Sequence, residues 1–164
     1  MINPHRKILG SLVMAGRVLE NQTLSRSIIL ATGCFDLLHR GHVQLLVRSK
    51  LATNNPSAAV LAVGINSDES IRELKGKRRP VCPLADRLYM LAAIECVDVV
   101  FYFNDLNAAR AIRTIKPAIW IKGGDWKLSS LAPAERRAVK EVGAVIKILP
   151  RCGDWSTSGI LKRL

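Results

Sequence analysis

Two histidines, His39 and His42, flank Gly41 in the stretch Thr32-Gly-Cys-Phe-Asp36-Leu-Leu-His39-Arg-Gly41-His42. Imidazoles at this spacing can neutralise phosphate oxygens if the backbone aims both the same way. The apolar run Ile28-Ile-Leu-Ala31 precedes them and reads as a buried strand. Val43, Leu46 and Val47 follow at i, i+3, i+4, the face of a helix. The stretch is therefore a strand-to-helix turn, with both histidines on one side of the helix's first turn. Unpaired N–H groups and the positive end of the helix dipole point outward there, which suits a phosphate. Gly41 has no side chain to keep a phosphate off the backbone. The plainer alternative is a capped turn whose histidines satisfy local hydrogen bonds. A lone histidine at a helix start fits that alternative better than a His-x-Gly-His behind a buried strand does. Zinc fits less well, because no Glu follows the first His and no third ligand stands at a recognisable spacing.

The rest of the chain must position this turn. Residues 7–20, with Ile8, Leu12, Val13 and Leu19, carry the pattern of an N-terminal amphipathic helix. Ser25 to Ala31 is the first strand, and the helix after the histidines runs to about Leu51, where Asn54-Asn-Pro56-Ser57 breaks it. Ala58 to Ile65 is a continuous apolar run, as in a parallel strand covered on both faces. Asn66-Ser-Asp68 ends it, and Arg72, Lys75, Lys77, Arg78 and Arg79 then make a flexible-looking basic segment with Glu73 as its only acid. Pro83 opens a helix with a Leu84, Leu88, Leu91, Ala92 stripe. Asp98 to Phe103 is the third strand, residues 106–115 a short helix, and Ala118 to Lys122 the fourth strand, leading into Gly123-Gly124-Asp125-Trp126. Pro133 to Val142 is a helix, Ala144 to Leu149 the fifth strand, and Ser156-Thr157-Ser158 opens a last helix ending at Leu164. Strands alternating with helices predict an α/β fold, a doubly wound five-stranded parallel sheet with helices on both faces. In such sheets ligands sit at the carboxyl ends of strands near the switch in strand order. The histidine turn, the basic segment, the Gly-Gly-Asp-Trp and the Ser-Thr-Ser all follow strands and so share that rim.

At 164 residues the chain has room for one well-packed domain. We expect residues 1–24 to form a helical lead-in and 25–164 the core. Residues are 49% hydrophobic, which excludes disorder, and no apolar run approaches the ~20 residues of a membrane span. Met1 to Gly16 resembles a short export signal, but Arg17 and Glu20 follow at once. Cys34, Cys82, Cys96 and Cys152 form no C-x-x-C pair, which points to a reducing, cytoplasmic setting. The net charge of +12 calls for a polyanionic partner: nucleic acid, nucleotide phosphates or sugar phosphates. The charge is dispersed, aromatics are few and no nucleic-acid-binding motif appears, so no stable nucleic-acid partner is expected.

The segments GCFDLLHRGH, LKGKRRPVCPLADR, KGGDW and WSTSGILKRL, from about residue 26 to the C-terminus, resemble the cytidylyltransferase-like nucleotidyltransferases in content and order. Among these the chain is most similar to the D-glycero-β-D-manno-heptose 1-phosphate adenylyltransferases, the ADP-heptose-forming domain. That resemblance implies a Rossmann-like fold and transfer of AMP from ATP, with Mg²⁺, to a sugar 1-phosphate such as heptose 1-phosphate, with release of pyrophosphate. ADP-heptose is a lipopolysaccharide precursor. The resemblance places His39 and His42 on the triphosphate and the transition state, and Lys75 on the incoming sugar phosphate. Lys77 and Arg87 would meet the nucleotide, and Ser156, Thr157 and Ser158 would clamp its phosphates. Gly124 and Asp125 lie in the loop that helps hold the nucleoside, and Thr32, Gly33, Cys34, Phe35 and Gly41 complete the nucleotide site. Asp36 is either a turn-former or a substrate contact. Trp120, Trp126 and Trp155 are packing residues, the last two close enough to the rim to wall a base. No protein ligand for a metal is expected.

Three features depart from the family pattern. The stretch from Lys50 to Asn66 is several residues longer. Ile160 and Leu161 stand where related adenylyltransferases carry an arginine. There is no room for the sugar kinase to which many heptose-type domains are fused, so a separate kinase is expected to supply the sugar 1-phosphate. A homodimer is left open. The alternative within enzymes is a cytidylyltransferase acting on glycerol 3-phosphate or a similar alcohol phosphate; that group shares the histidine and Ser-Thr turns but is less similar in the RPVCPL segment. A non-catalytic nucleic-acid-binding protein is the alternative from another class.

Overall fold

The computed structural model describes residues 3–20, 26–124, 126–151, 153 and 155–163. The expected boundary at residues 24 and 25, and the last helix's end at Leu164, lie outside them. The sheet has strands β1 (Ile8–Ser11), β2 (Ile28–Gly33), β3 (Val60–Asn66), β4 (Val99–Phe103), β5 (Ile119–Gly123) and β6 (Val145–Leu149). They lie in the order β1-β4-β3-β2-β5-β6, every neighbouring pair parallel.

Because successive strand residues point to opposite faces, each strand feeds two separate cores. Ile28, Leu30, Val60, Ala62, Phe101 and Trp120 face one core, which the helices α1 (Leu12–Glu20), α5 (Ala109–Ile115) and α6 (Pro133–Val142) close with Leu19, Ile112 and Val139. Ile29, Ala31, Leu61, Val63, Val100 and Ile121 face the other. There α2 (Arg40–Lys50) and α4 (Leu84–Ala92) supply Leu46, Leu88 and Leu91. All of β3 is buried, as its unbroken apolar run requires.

The sheet is therefore the expected doubly wound, parallel, Rossmann-like one, but with six strands rather than five. The extra strand comes from the residues read as the start of an N-terminal helix. Ile8–Ser11 instead completes the edge of β4, with Ile8 opposite Val100 and Ser11 opposite Tyr102. Gly10, at φ 67°, sits at the register shift between those pairs, and the helix begins only at Leu12. An unpaired sheet edge outweighed local helix periodicity in these four residues.

The basic segment differs in the same way. Asp68–Lys75 form a helix, α3, so Lys75 stands on an ordered element and not on a flexible stretch. Ser67 accepts the Ser70 N–H at its start, Asp68 and Glu69 fill its first turn, and Gly76 stops it at φ 92°. The longer stretch between α2 and β3 holds a 3-10 turn, Pro56–Ala58, capped by Asn55. It lies at the amino ends of the strands, away from the rim that carries the histidines. No helix among the described residues is long and apolar enough to cross a membrane.

Candidate functional site

The rim is formed where β2 and β5 part. They pair only as far as Ala31 opposite Ile121, which leaves Thr32–Gly33 and Lys122–Gly123 splayed at their carboxyl ends. The chain runs outward from β2 through β3 and β4 and returns to β2's other side as β5, so this is the switch point of the sheet. At Gly123 an added Cβ would lie 2.4 Å from a methyl of Leu45, so a glycine is what lets α2 close on β5 here.

The chain bends sharply at Phe35, whose φ of 45° is rare for a bulky residue, and His39 caps α2 in extended conformation. The His39 carbonyl accepts the N–H groups of His42 and Val43 at 2.9 and 3.3 Å. The two imidazoles stack with centroids 3.8 Å apart and planes 19° apart. Neither Nδ1 has a hydrogen-bond partner among the described residues, although both atoms are buried. Burial, and then the neighbouring His39, push the His42 pKa down to about 4, with the Leu37 carbonyl pulling the other way. Burial, and then the Arg151 charge, lower that of His39. Both rings are thus neutral near pH 7 until an anion arrives to favour the charged form. Gly41 leaves space for them: a Cβ there would press to 3.1 Å from the His39 ring.

The cleft around this pair has two lobes. The larger, about 560 Å³, runs from Thr32 and Gly33 past Asn66 and Asn107 to Lys122 and Trp126. The other, about 320 Å³, is the basic one, where His39, Arg48 and Arg151 face Gly124 and Ser156–Ser158. His42, Lys75, Arg79, Gly123 and Thr157 line both, so the junction is where groups from the two lobes meet. Ser156 caps the short helix α7 (Thr157–Leu161) by accepting the Gly159 N–H at 3.0 Å, which orders the Ser-Thr-Ser turn that lines this lobe with the histidines. Trp126 reaches the first lobe and Trp155 the second.

Most residues singled out in the sequence therefore meet at one place. Thr32, Gly33, Cys34, Phe35, Gly41, Gly124, Lys75 and the Ser-Thr-Ser line the cleft with the histidines. Asp125 lies outside the described residues. Lys77 is exposed and lines neither lobe; its neighbour Arg79 does instead. Asp36, 1% exposed, accepts the Val81 and Cys82 N–H groups at 2.7 and 2.9 Å and the Arg79 Nε at 2.5 Å. Its carboxylate thus pins the segment that carries Arg79 over the cleft. Arg87 is wholly buried and lines neither lobe. It donates to the carbonyls of Cys34, Asn66 and Cys82 and to the Asp68 carboxylate, at 2.6–3.0 Å. Burial pushes the Cys34 thiol up, so it is no nucleophile at neutral pH.

Sequence reasoning put Arg79 on the rim within the basic segment without giving it a role, and missed Asn107, Lys122 and Glu135. Lys122 Nζ pairs with Glu135 Oε1 at 3.1 Å and lies 5.0 and 4.9 Å from the Trp120 and Trp126 ring centroids. A lysine ending a buried strand was the available signal, as was Glu135 at the third position of a helix, where it accepts the Ala132 N–H. Among the described residues, no group of three or more His, Cys, Asp or Glu could hold a metal ion.

Comparison with known proteins places this geometry. The chain is 34% identical over 151 residues to the bifunctional protein HldE of Geobacter metallireducens, covering 92% of this chain and 29% of that protein. It is 39% identical over 137 residues to the HldE of Streptomyces coelicolor, covering 84% and 28%. The chain thus spans less than a third of the length of these relatives. A lipopolysaccharide core biosynthesis protein from Thermoplasma volcanium superposes with a TM-score of 0.60 at 25% identity, over 79% of this chain and 98% of that one. A pantoate-β-alanine ligase from Francisella tularensis shares the fold, with a TM-score of 0.61 at 17% identity over 96% and 72%. Residues 30–163, from β2 through the Ser-Thr-Ser turn, match the cytidylyltransferase-like family profile, and the chain belongs to that family of nucleotidyltransferases.

Proposed function

We propose that the chain transfers AMP from ATP to the phosphate of a sugar 1-phosphate, such as heptose 1-phosphate, and releases pyrophosphate. The stacked, neutral histidine pair at the junction of a basic lobe and a larger one, where Asp36 and Glu135 offset part of the positive charge, carries this reading. The triphosphate would occupy the basic lobe, between the Ser156–Ser158 hydroxyls and His39, with the α-phosphorus beside His42. The acceptor phosphate, held by Lys75 and Arg79, would attack that phosphorus in line, and pyrophosphate would leave towards Arg151. The attacking oxygen is already ionised, so no strong general base is needed, and catalysis consists of positioning and charge stabilisation. Each well-placed donor of this kind typically contributes ~3–4 kcal/mol to the transition state.

Mg²⁺ fits this site as an ion carried by the triphosphate, where it would screen the phosphate charges. The carboxylates of Asp36 and Glu135, the acids among the described residues that line the cleft, are already engaged by Arg79 and Lys122. Binding to phosphate oxygens and water is the usual habit of this ion.

A pyrophosphate-release screen crossing ATP, CTP, GTP and UTP with sugar and alcohol phosphates tests the reading. ATP with a sugar 1-phosphate should be fastest. Faster turnover with CTP and glycerol 3-phosphate would reassign the chain to alcohol-phosphate cytidylyl transfer. No turnover, with tight salt-sensitive binding of nucleic acid, would remove it from catalysis.

A further inference from the structure

The larger lobe has an annexe of about 50 Å³ bordered by Thr32, Asn66, Asn107, Lys122 and Glu135. By the same measure a single water needs about 10–15 Å³, so the annexe has room for a short hydroxyl-bearing branch. Its polar groups are fixed in advance. Glu135 Oε1 accepts both the Ala108 N–H at 3.0 Å and Lys122 Nζ at 3.1 Å, and Oε2 accepts the Ala132 N–H at 3.2 Å. Lys122 lies against the Trp120 and Trp126 rings, so its ammonium is held while two of its three N–H groups have no partner among the described residues. Asn107 gives its oxygen to the Ala109 N–H at 3.0 Å, which leaves both amide N–H groups without one. Thr32 Oγ1 accepts from Trp120 Nε1 at 3.1 Å and keeps its own proton to donate.

The annexe is thus rich in donors, yet Glu135 cancels the lysine's charge. A second phosphate would demand a net positive pocket, whereas neutral hydroxyl oxygens are matched by this one. We propose that Lys122 and Asn107 read hydroxyl groups of the acceptor, so that this annexe selects a polyhydroxylated sugar phosphate over a short alcohol phosphate. This rests on the proposed transfer reaction. Lys122 and Asn107 act on acceptor choice, while the phosphates are handled at the histidine junction.

The test uses the wild type and two variants. Asn107→Asp keeps an oxygen for the Ala109 N–H and removes both donors; Lys122→Met keeps the packing between the indoles and removes the cation. Acceptors are sugar 1-phosphates, single-deoxy counterparts and glycerol 3-phosphate, followed by pyrophosphate release and by calorimetric binding. One deoxy position should cost the wild type about 10–100-fold in kcat/KM, since it strands half-buried donors that the bound acceptor covers. The same deoxy change should cost each variant about twofold at most, with the ATP KM unmoved and the acceptor KM raised about 10-fold or more. A wild type indifferent to every deoxy substitution would overturn the proposal without needing any variant to fold. So would a rise in the ATP KM alone, which would assign the annexe to the nucleoside. If the hydroxyl preference is seen in binding but no nucleotide is transferred, the annexe stands and the transfer reading falls. Transfer without the preference leaves the reaction standing and overturns the annexe's role, and absence of both removes both.

Discussion

At the scale of single residues, the histidine pair is the most consequential arrangement. His42 in the folded protein has a pKa of about 4, against an ordinary value of 6.5. Between those values the unfolded chain binds a proton that the folded chain refuses, so stability falls as pH drops from about 6.5 to about 4. A shift of that size corresponds to about 3 kcal/mol at most, read as a falling urea midpoint that His42→Asn should flatten. In the proposed reaction, triphosphate binding would reverse the preference by placing negative charge beside the rings. Calorimetry of ATP binding at pH 6 in two buffers of different ionisation enthalpy should therefore show proton uptake, and His42→Asn should abolish most of it. Identical heats in the two buffers would show that the ring stays neutral in the complex. His39→Ala and His42→Ala should each lower kcat by about two to three orders of magnitude with the fold intact. Near-normal turnover would take them out of the chemistry.

At the scale of elements, the rim works because short segments are tied to one another before any ligand arrives. Arg87 joins the turn after β2, the end of β3, the start of α3 and the turn before α4. Arg87→Met would leave those carbonyls without their donor in the interior and take the cation from the partly exposed Asp68, and should cost about 3–5 kcal/mol of stability, measured by urea unfolding. A variant of wild-type stability but poor ATP saturation would instead make Arg87 a nucleotide contact. Lys75 ends α3 on one side of the junction, and Thr157 begins α7 on the other. Lys75→Ala should raise the KM of the sugar phosphate more than that of ATP, and Thr157→Ala should do the opposite. If Lys75→Ala affected ATP alone, the two substrates would have to be exchanged across the cleft. The histidine turn and the Ser-Thr-Ser were legible because each is a local pattern: a strand, a glycine, then a helix start. Asp36 and Arg87 were visible as residue types, but all their side-chain partners, except Cys82 for Arg87, lie 19–53 positions away in the chain, and spacing says nothing about such pairs. Lys122 and Glu135 were hidden for the same reason, each looking like an ordinary strand or helix end.

At the scale of the whole molecule, the parallel sheet keeps the cleft's two lobes in fixed relation. The alternation of strands and helices made that architecture readable, because apolar runs without polar alternation need cover on both faces. The sixth strand was not readable: Ile8–Ser11 has no strand signature of its own, and only the open edge of β4 gives it one. Trp120 is fully buried in the core beneath the splayed ends of β2 and β5 and donates to Thr32 at 3.1 Å. Trp120→Ala should cost about 3–5 kcal/mol of stability and release both Thr32 and Lys122, so activity should fall even where the chain still folds. The central claim is that an acceptor phosphate attacks the α-phosphorus of the nucleotide in this cleft. It is tested most directly by turnover with a sugar 1-phosphate whose phosphate carries oxygen-18 on its non-bridging oxygens. One labelled oxygen should appear in the new P–O–P bridge, with pyrophosphate free of label. Labelled inorganic phosphate released from the acceptor, or a product bridge without label, would contradict it.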